Sequence, residues 1–251
     1  MPGQPERTAI VTGAARGIGR ATALALAKRG YAVALADRLA AELETTAAEV
    51  AALGVAVLML PGNVADYAAT QTYGRNVLEA WGHVDVLVNN AGISQPKGLV
   101  EISEAEWDEV IAINLKGQFN WCKAVAPSML LGNGGRIINI SSVSANTGAG
   151  SSAVSRFAYC AAKAGVLGLT RGLAKELAPK VTVNAICPGA IETALTAKLF
   201  TDNRDAILRS IPLARLGQPE DIAEVVVFLA TVSPMFLTGE VIDVDGGQWV
   251  N

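Results

Sequence analysis

Residues 8–20 read Thr8-Ala9-Ile10-Val11-Thr12-Gly13-Ala14-Ala15-Arg16-Gly17-Ile18-Gly19-Arg20, and this stretch decides the fold. Thr8–Val11 is a short apolar run with strand character, and the segment that follows the glycines, RATALALAKRG, is helical in pattern. Between them Thr12–Gly19 turns the chain from strand to helix. Glycines without a Cβ allow the tight turn and let backbone N–H groups approach a pyrophosphate, whose charge is favoured by the dipole at the start of the helix. A glycine pattern alone says little. A strand before it and a helix after it make Gly13, Arg16, Gly17, Ile18 and Gly19 candidate contacts of a dinucleotide.

The same alternation continues to the end of the chain. Ala32–Ala36, Val55–Leu60, Val84–Val88, Arg136–Ile140, Val181–Ile186 and Val241–Val244 read as further strands, mostly apolar at successive positions, as strands covered on both faces are. Helical patterns lie near 18–29, 39–53, 66–81, 103–131 (as two helices), 157–178 and 219–230. This order predicts an α/β fold, a single-domain Rossmann-type doubly wound parallel sheet of about seven strands with helices on both faces. No linker, repeat or low-complexity tract divides residues 1–251, so one dinucleotide-binding domain is expected. Only 189–217 breaks the rhythm, with Leu195, Leu199, Phe200, Ile207, Leu208 and Ile211 bracketed by Pro188-Gly189 and by Pro212 and Gly217. Placed after a strand, it is expected to be a lid over a cleft, because ligands bind beyond the carboxyl ends of strands in such sheets. A plain packing helix is the alternative.

Composition excludes several function classes. Across 251 residues, 20 Lys+Arg against 23 Asp+Glu leave a net charge of −3, which provides no basic face for nucleic acid or an acidic membrane. With 51% apolar and 17% charged residues the chain can bury a substantial core and is not of the disordered type. The longest apolar runs, such as Val225–Ala230, fall far short of the roughly 18 residues that span a bilayer. The opening MPGQPERTAIVTG lacks a basic-then-apolar export pattern, and Cys122, Cys160 and Cys187 show no CxxC spacing, so a reduced, cytoplasmic setting is expected. The single histidine, His83, leaves no His-rich metal site, and no metal is expected. Its place in WGHVDVLV suits a loop or strand edge rather than catalysis.

Asp37 ends the second strand 18 residues past Gly19, near the roughly 20-residue offset at which an acid holds the ribose of a dinucleotide. A carboxylate there bonds the 2′-OH of NAD and repels the 2′-phosphate of NADP. Arg16 and Arg38 pull the other way, but arginines can swing to solvent, so NAD is expected and NADP is the alternative. Tyr159 and Lys163 are spaced i, i+4 on a helical segment and so share a face. A free phenol titrates near pKa ~10; an adjacent ammonium, with the charge of an oxidised nicotinamide, is expected to lower that value. Tyr159 would then take the alcohol proton as hydride leaves carbon, and in reverse protonate the developing alkoxide. Ser142, just past a strand end, is the candidate to hold the substrate oxygen, with Ser141 competing. Cys160 lies roughly 100° around the helix from Tyr159, has no base, and is expected to pack. Trp107 and Trp121 are expected as core or interface anchors, and Trp249 in a subunit contact.

TGAARGIG (12–19), NNAG (89–92), Asn114 in INLKG, INISSVS around Ser142, Tyr159-Cys160-Ala161-Ala162-Lys163, and Cys187-Pro188-Gly189 running on to Thr193 occur in that order. Together they resemble the short-chain dehydrogenase/reductase family in its compact form over essentially the whole chain, and its 3-oxoacyl-ACP reductase-like members in particular. The resemblance implies a nicotinamide cofactor and commonly a homotetramer. It points to Ser142 over Ser141. It also implies that Asn114 anchors a water linking Lys163 to solvent and that Lys163 holds the nicotinamide ribose hydroxyls. In the same way Asn90 and Gly92 would pass the adenosine side, while Ile191 and Thr193 would meet the carboxamide beside the Pro188-Gly189 turn. Two departures stand out. Asn63-Val64 replaces the family's Asp-Val at the adenine amino group, a bond that an amide oxygen can still accept. The loop VSANTGAGSSAVSRFA (143–158) is longer than is usual in relatives, and its Arg156 is expected in solvent rather than on an anionic substrate.

The residues thus read as an oxidoreductase moving a hydride between a nicotinamide cofactor and a secondary alcohol/ketone pair, a small-molecule partner. An NADPH-dependent 3-oxoacyl thioester reductase is the alternative of the same class. From other classes come a catalytically silent dinucleotide-binding module, which would not need Asn114, Ser142, Tyr159 and Lys163 together, and a Ser-Lys hydrolase using Ser142 and Lys163.

Overall fold

The computed structural model describes residues 4–149, 155–194 and 196–250, with the backbone alone for 198–203. Its strands are β1 (Thr8–Thr12), β2 (Ala32–Asp37), β3 (Val57–Pro61), β4 (Val86–Asn89), β5 (Gly135–Ile140), β6 (Val181–Pro188) and β7 (Val241–Val244). They form one parallel sheet in the order β3-β2-β1-β4-β5-β6-β7. Because β1 is flanked by β2 on one side and β4 on the other, the order of the sheet reverses there. The crevice beyond the carboxyl ends of β1 and β4 is where such a sheet receives a ligand.

The helices are α1 (Gly17–Lys28), α2 (Ala40–Ala52), α3 (Tyr67–Trp81), α4 (Glu104–Ile111), α5 (Gly117–Leu131), the single-turn α6 (Ser144–Thr147), α7 (Phe157–Glu176), α8 (Ala197–Arg209) and α9 (Pro219–Thr231). Successive strand side chains point to opposite faces, so an unbroken apolar run feeds two cores at once. Ala9 and Val11 of β1 join Leu26 of α1, Leu43 of α2 and Val226 of α9 on one face. Ile10 joins Val77 of α3, Trp121 and Val125 of α5 and Ala174 of α7 on the other. Leu26, Leu35 and Leu87 are fully buried, each contributing about 2–3 kcal/mol of apolar transfer free energy.

Strand ends move by one or two residues from the sequence reading: β3 and β4 begin at Val57 and Val86 and not at Val55 and Val84, and β6 runs on to Pro188. The 103–131 pattern does contain two helices, joined by a π-helical turn over Ala112–Lys116 rather than a loop. The segment expected as a lid holds α8, whose Ile207 clusters with Ile211 and Leu216 and with Ala190. Leu195 and the side chains of Leu199 and Phe200 lie outside the described residues. His83 sits in the loop before β4, at the amino end of that strand, contacts Asp85 at 3.2 Å and does not line the cleft described below. Trp121 is buried, and Trp107 stacks on Phe157 with ring centroids 5.8 Å apart. Among the described residues no helix is long and apolar enough to cross a membrane.

Candidate active site

The glycine-rich turn is held from three directions. Asn90, just past β4, donates from Nδ2 to the carbonyls of Thr12 (2.9 Å) and Gly13 (3.2 Å). The Ala15 N–H donates to Asp37 Oδ2 at 3.0 Å, and Thr46 of α2 donates to the Ala15 carbonyl at 3.1 Å. Gly13 and Gly17 have φ of +66° and +57°, values that side chains rarely adopt. A Cβ on Gly19 would collide with the carbonyl oxygen of Gly13. No side chain caps α1 and no acidic residue lies in its first turn. The N–H groups and positive dipole end of α1 therefore meet the cleft at Gly17 and Ile18 with no side-chain cap among the described residues. A cradle that a methyl group would fill, at an uncapped helix start, fits a dinucleotide pyrophosphate.

A cleft of about 220 Å³ runs from this turn across the ends of β5 and β6. Arg16, Gly17, Ile18, Asn90, Gly92, Ser142, Tyr159, Lys163, Pro188, Gly189, Ile191 and Thr193 all line it, which brings together most of the residues singled out above. A smaller recess of about 70 Å³ holds Gly13, Asp37, Arg38, Asn63 and Val64, and the two share Gly92 and Ile93. Thr193 closes over the turn, its Cγ2 lying 3.4 Å from where a Cβ of Gly17 would be. Asn90 lines the cleft and also spends its side-chain amide on the carbonyls of the turn. The oxygen of Asn63 accepts from the Ala65 N–H at 3.0 Å and keeps a lone pair, as the expected bond from an adenine amino group requires.

Tyr159 and Lys163 occupy the first turns of α7 and share a face, with the ammonium 5.7 Å from the phenol ring centroid. Lys163 is 3% exposed and donates to the Ile140 carbonyl at 2.8 Å. Burial moves both groups toward neutrality: Tyr159 is pushed up to about 12, against a smaller downward pull from the Ser142 hydroxyl, and Lys163 is pushed down to about 8. Among the protein's own groups desolvation thus outweighs any lowering by Lys163, whose ammonium is turned toward a backbone carbonyl; the charge of an oxidised nicotinamide is a separate contribution.

Each serine has a different task. Ser141 donates to the Lys163 carbonyl at 2.8 Å and is buried, so it braces α7. Ser142 accepts from the Ser144 N–H at 3.1 Å and lines the cleft with Tyr159, whose pKa its hydroxyl pulls down. The base that a Ser-Lys hydrolase requires is engaged at Ile140 instead. Asn114, fully buried in the π turn, accepts from the Ile93 N–H (2.9 Å) and donates to the Ile93 carbonyl (3.0 Å). Gly92 lies close above it, since a Cβ there would be 2.7 Å from Asn114 Oδ1 and 3.6 Å from Lys163 Nζ. Arg156 is exposed, as expected, and Cys160 is half-buried with its thiol pushed up by desolvation, as an unreactive packing residue has.

Two residues at the site escaped the sequence reading. Gln248, beyond β7, accepts from the Ala190 N–H at 2.8 Å and so fixes the chain just after the Pro188-Gly189 turn. Gln118 of α5 donates to the same Ile140 carbonyl as Lys163, at 3.2 Å. Nothing in the spacing of either residue marks it, because both act through backbone groups brought near only by folding.

A family model described as enoyl-(acyl carrier protein) reductase matches residues 13–248. The 3-oxoacyl-(acyl-carrier-protein) reductase of Staphylococcus aureus is 44% identical over 246 residues, covering 97% of this chain and 98% of that protein. Its counterpart in Thermotoga maritima is 41% identical over 242 residues, 96% and 97% of the two chains. Among solved structures, a Brucella melitensis short-chain dehydrogenase/reductase described as glucose/ribitol dehydrogenase superposes with a TM-score of 0.90 at 35% identity, covering 99% of this chain and 98% of that one. A Sinorhizobium meliloti protein described as a candidate short-chain alcohol dehydrogenase gives a TM-score of 0.91 at 38% identity, covering 97% and 96%. Matched by this family model over residues 13–248 and by these relatives over nearly its whole length, the chain belongs to the short-chain dehydrogenase/reductase family of oxidoreductases, for which a nicotinamide dinucleotide is the implied cofactor.

Proposed function

We propose that the protein interconverts a secondary alcohol and a ketone, with Tyr159 as general acid and base, Ser142 holding the substrate oxygen, Lys163 holding the nicotinamide ribose, and Asn114 anchoring the water that links Lys163 to solvent. The observation that carries this reading is that Ser142, Tyr159 and Lys163 line one cleft, with the ammonium 5.7 Å from the phenol ring centroid. The chemistry supplied by the bound dinucleotide is hydride transfer at its nicotinamide ring. In the reductive direction Tyr159 gives its proton to the developing alkoxide while the Ser142 hydroxyl donates to the same oxygen. In the oxidative direction the phenolate accepts that proton. Gly13, Arg16, Gly17, Ile18 and Gly19 would hold the pyrophosphate, Asp37, Asn63, Val64 and Gly92 the adenosine, and Pro188, Gly189, Ile191 and Thr193 the nicotinamide.

A phenol pushed up to about 12 keeps its proton through neutral pH, which suits the reductive direction. The Cys187 thiol facing it is pushed up to about 11 and stays uncharged over the same range. Ketone reduction is expected to be level between pH 6 and about 8 and to fall above that, as Lys163 loses its proton near pH 8. Alcohol oxidation needs the phenolate, so its kcat/KM is expected to rise about tenfold per pH unit below pH 8. Initial rates in both directions across pH 6–9 check this; an oxidation rate independent of pH would remove Tyr159 from the base role.

NAD is the favoured dinucleotide. The Asp37 carboxylate is fixed by the Ala15 and Leu39 N–H groups at 3.0 and 3.1 Å, at the recess where a 2′-phosphate would sit, whereas Arg16 and Arg38 are exposed. A fixed negative charge against a phosphate is strongly unfavourable. Asp37→Ala is expected to shift the NADP-to-NAD ratio of kcat/KM at least about tenfold toward NADP; an unchanged ratio would place the discrimination elsewhere. A second reading of the substrate is a 3-oxoacyl thioester, favoured by the name of the Staphylococcus aureus relative at 44% identity. Reduction of an acetoacetyl thioester, compared with simple ketones and with NADH and NADPH side by side, separates the two. A homotetramer completes the proposal; exposed Phe119 and Phe228 are apolar surface that such an assembly would cover.

A further inference from the structure

Thr196 precedes α8 and lines the cleft together with Thr193. Its hydroxyl oxygen accepts from the Thr193 N–H at 2.9 Å and lies 3.1 Å from Thr193 Oγ1. Two carbonyl oxygens are within its reach as a donor, Ile191 at 2.7 Å and Thr193 at 3.1 Å. A hydroxyl has a single proton to give. The Thr193 carbonyl already accepts from the N–H groups of Thr196 and Ala197, at 3.0 and 2.9 Å. The Ile191 carbonyl belongs to a residue that is 5% exposed, and among the described residues only Thr196 donates to it. The Thr196 proton therefore goes to Ile191, because a buried acceptor left bare is the costlier choice. Thr193 is then the donor in the bond between the two hydroxyls.

We infer that Thr196 is a positioning residue that makes the Thr193 hydroxyl an acceptor toward a bound dinucleotide. The inference rests on the proposed contact of Thr193 with the nicotinamide carboxamide and says which end of that group it takes: the NH2 and not the oxygen. With its proton on Thr196, Thr193 Oγ1 offers a ligand lone pairs only. Accepting from a ligand N–H breaks nothing and extends a chain of hydrogen bonds through Thr193 and Thr196 to the Ile191 carbonyl. Donating to a ligand oxygen would break the bond to Thr196. The discrimination is one hydrogen bond, a factor of about five in affinity.

The test compares NAD with nicotinic acid adenine dinucleotide, whose ring carries a carboxylate in place of the carboxamide and so has no N–H to offer. Both are titrated by calorimetry into the parent, Thr196→Val, Thr196→Ser and Thr193→Val. The quantity read is the ratio of the two Kd values, in which a general loosening of the segment cancels. Thr196→Val frees the Thr193 hydroxyl to donate, so the preference for NAD is expected to fall about fivefold. Thr196→Ser keeps the hydroxyl and is expected to hold the parental ratio within about twofold. Thr193→Val should lower the ratio as well, and adding Thr196→Val to it should change nothing further. Where valine crowds the cleft and lowers the melting temperature, Thr196→Ala is read in the same way. An unchanged ratio in Thr196→Val beside a lowered one in Thr193→Val would overturn the inference and leave the Thr193 contact standing. A ratio lowered equally by serine and valine would overturn it too, since packing of the methyl group and not the hydroxyl would then be acting. If Thr193→Val keeps the parental ratio, the proposed carboxamide contact falls and the inference with it.

Discussion

Tyr159→Phe is expected to lower kcat about 1,000-fold in either direction while the Kd for NAD changes less than about twofold, because a positioned general acid contributes roughly 10²–10⁴ to rate and nothing to docking. The substitution removes one oxygen from a ring that α7 continues to hold. Ser142 keeps its bond from the Ser144 N–H, so the cleft wall stays in place. Calorimetric titration of the dinucleotide alongside steady-state rates separates the two effects. A variant with full turnover and poor dinucleotide affinity would show that the phenol binds and does not react.

Gly19→Ala is expected to raise the dinucleotide Kd about 100-fold, the equivalent of ~2.7 kcal/mol. The added methyl would meet the Gly13 carbonyl and the Asn90 amide, both of which are already engaged in shaping the turn. Since the obstacle includes backbone and not only the end of a flexible side chain, the turn itself must shift, and overpacking of this kind costs about 1–3 kcal/mol. Gly30→Ala is the control: at φ +83° it is strained, but a Cβ there meets nothing within 4 Å, so it should lower stability by about 1 kcal/mol and leave affinity alone. Equal affinity in Gly19→Ala and the parent would mean that the pyrophosphate lies elsewhere.

What the sequence revealed and what it concealed divide along a physical line. The strands were legible because each is an apolar run buried on both faces, and the phosphate turn because its glycines sit between a strand and a helix. Tyr159 and Lys163 were legible because i, i+4 spacing alone puts them on one face. The π turn at Ala112–Lys116 was not, since a helix that widens by one residue keeps a helical composition. Nor could spacing show that Lys163 rests on Ile140, that Ser141 faces away into α7, or that burial would dominate the phenol. Those facts depend on which backbone groups the fold leaves without a ladder partner, and a one-dimensional pattern does not encode that.

The three tethers on the glycine turn, from Asn90, Asp37 and Thr46, have a kinetic consequence. A segment immobilised during folding has already surrendered its conformational freedom, so an arriving ligand has little left to freeze. Encounter with the adenosine half should then proceed at a rate set by diffusion and access, and residence time should be governed by the slower parting of Thr193 from the glycine turn.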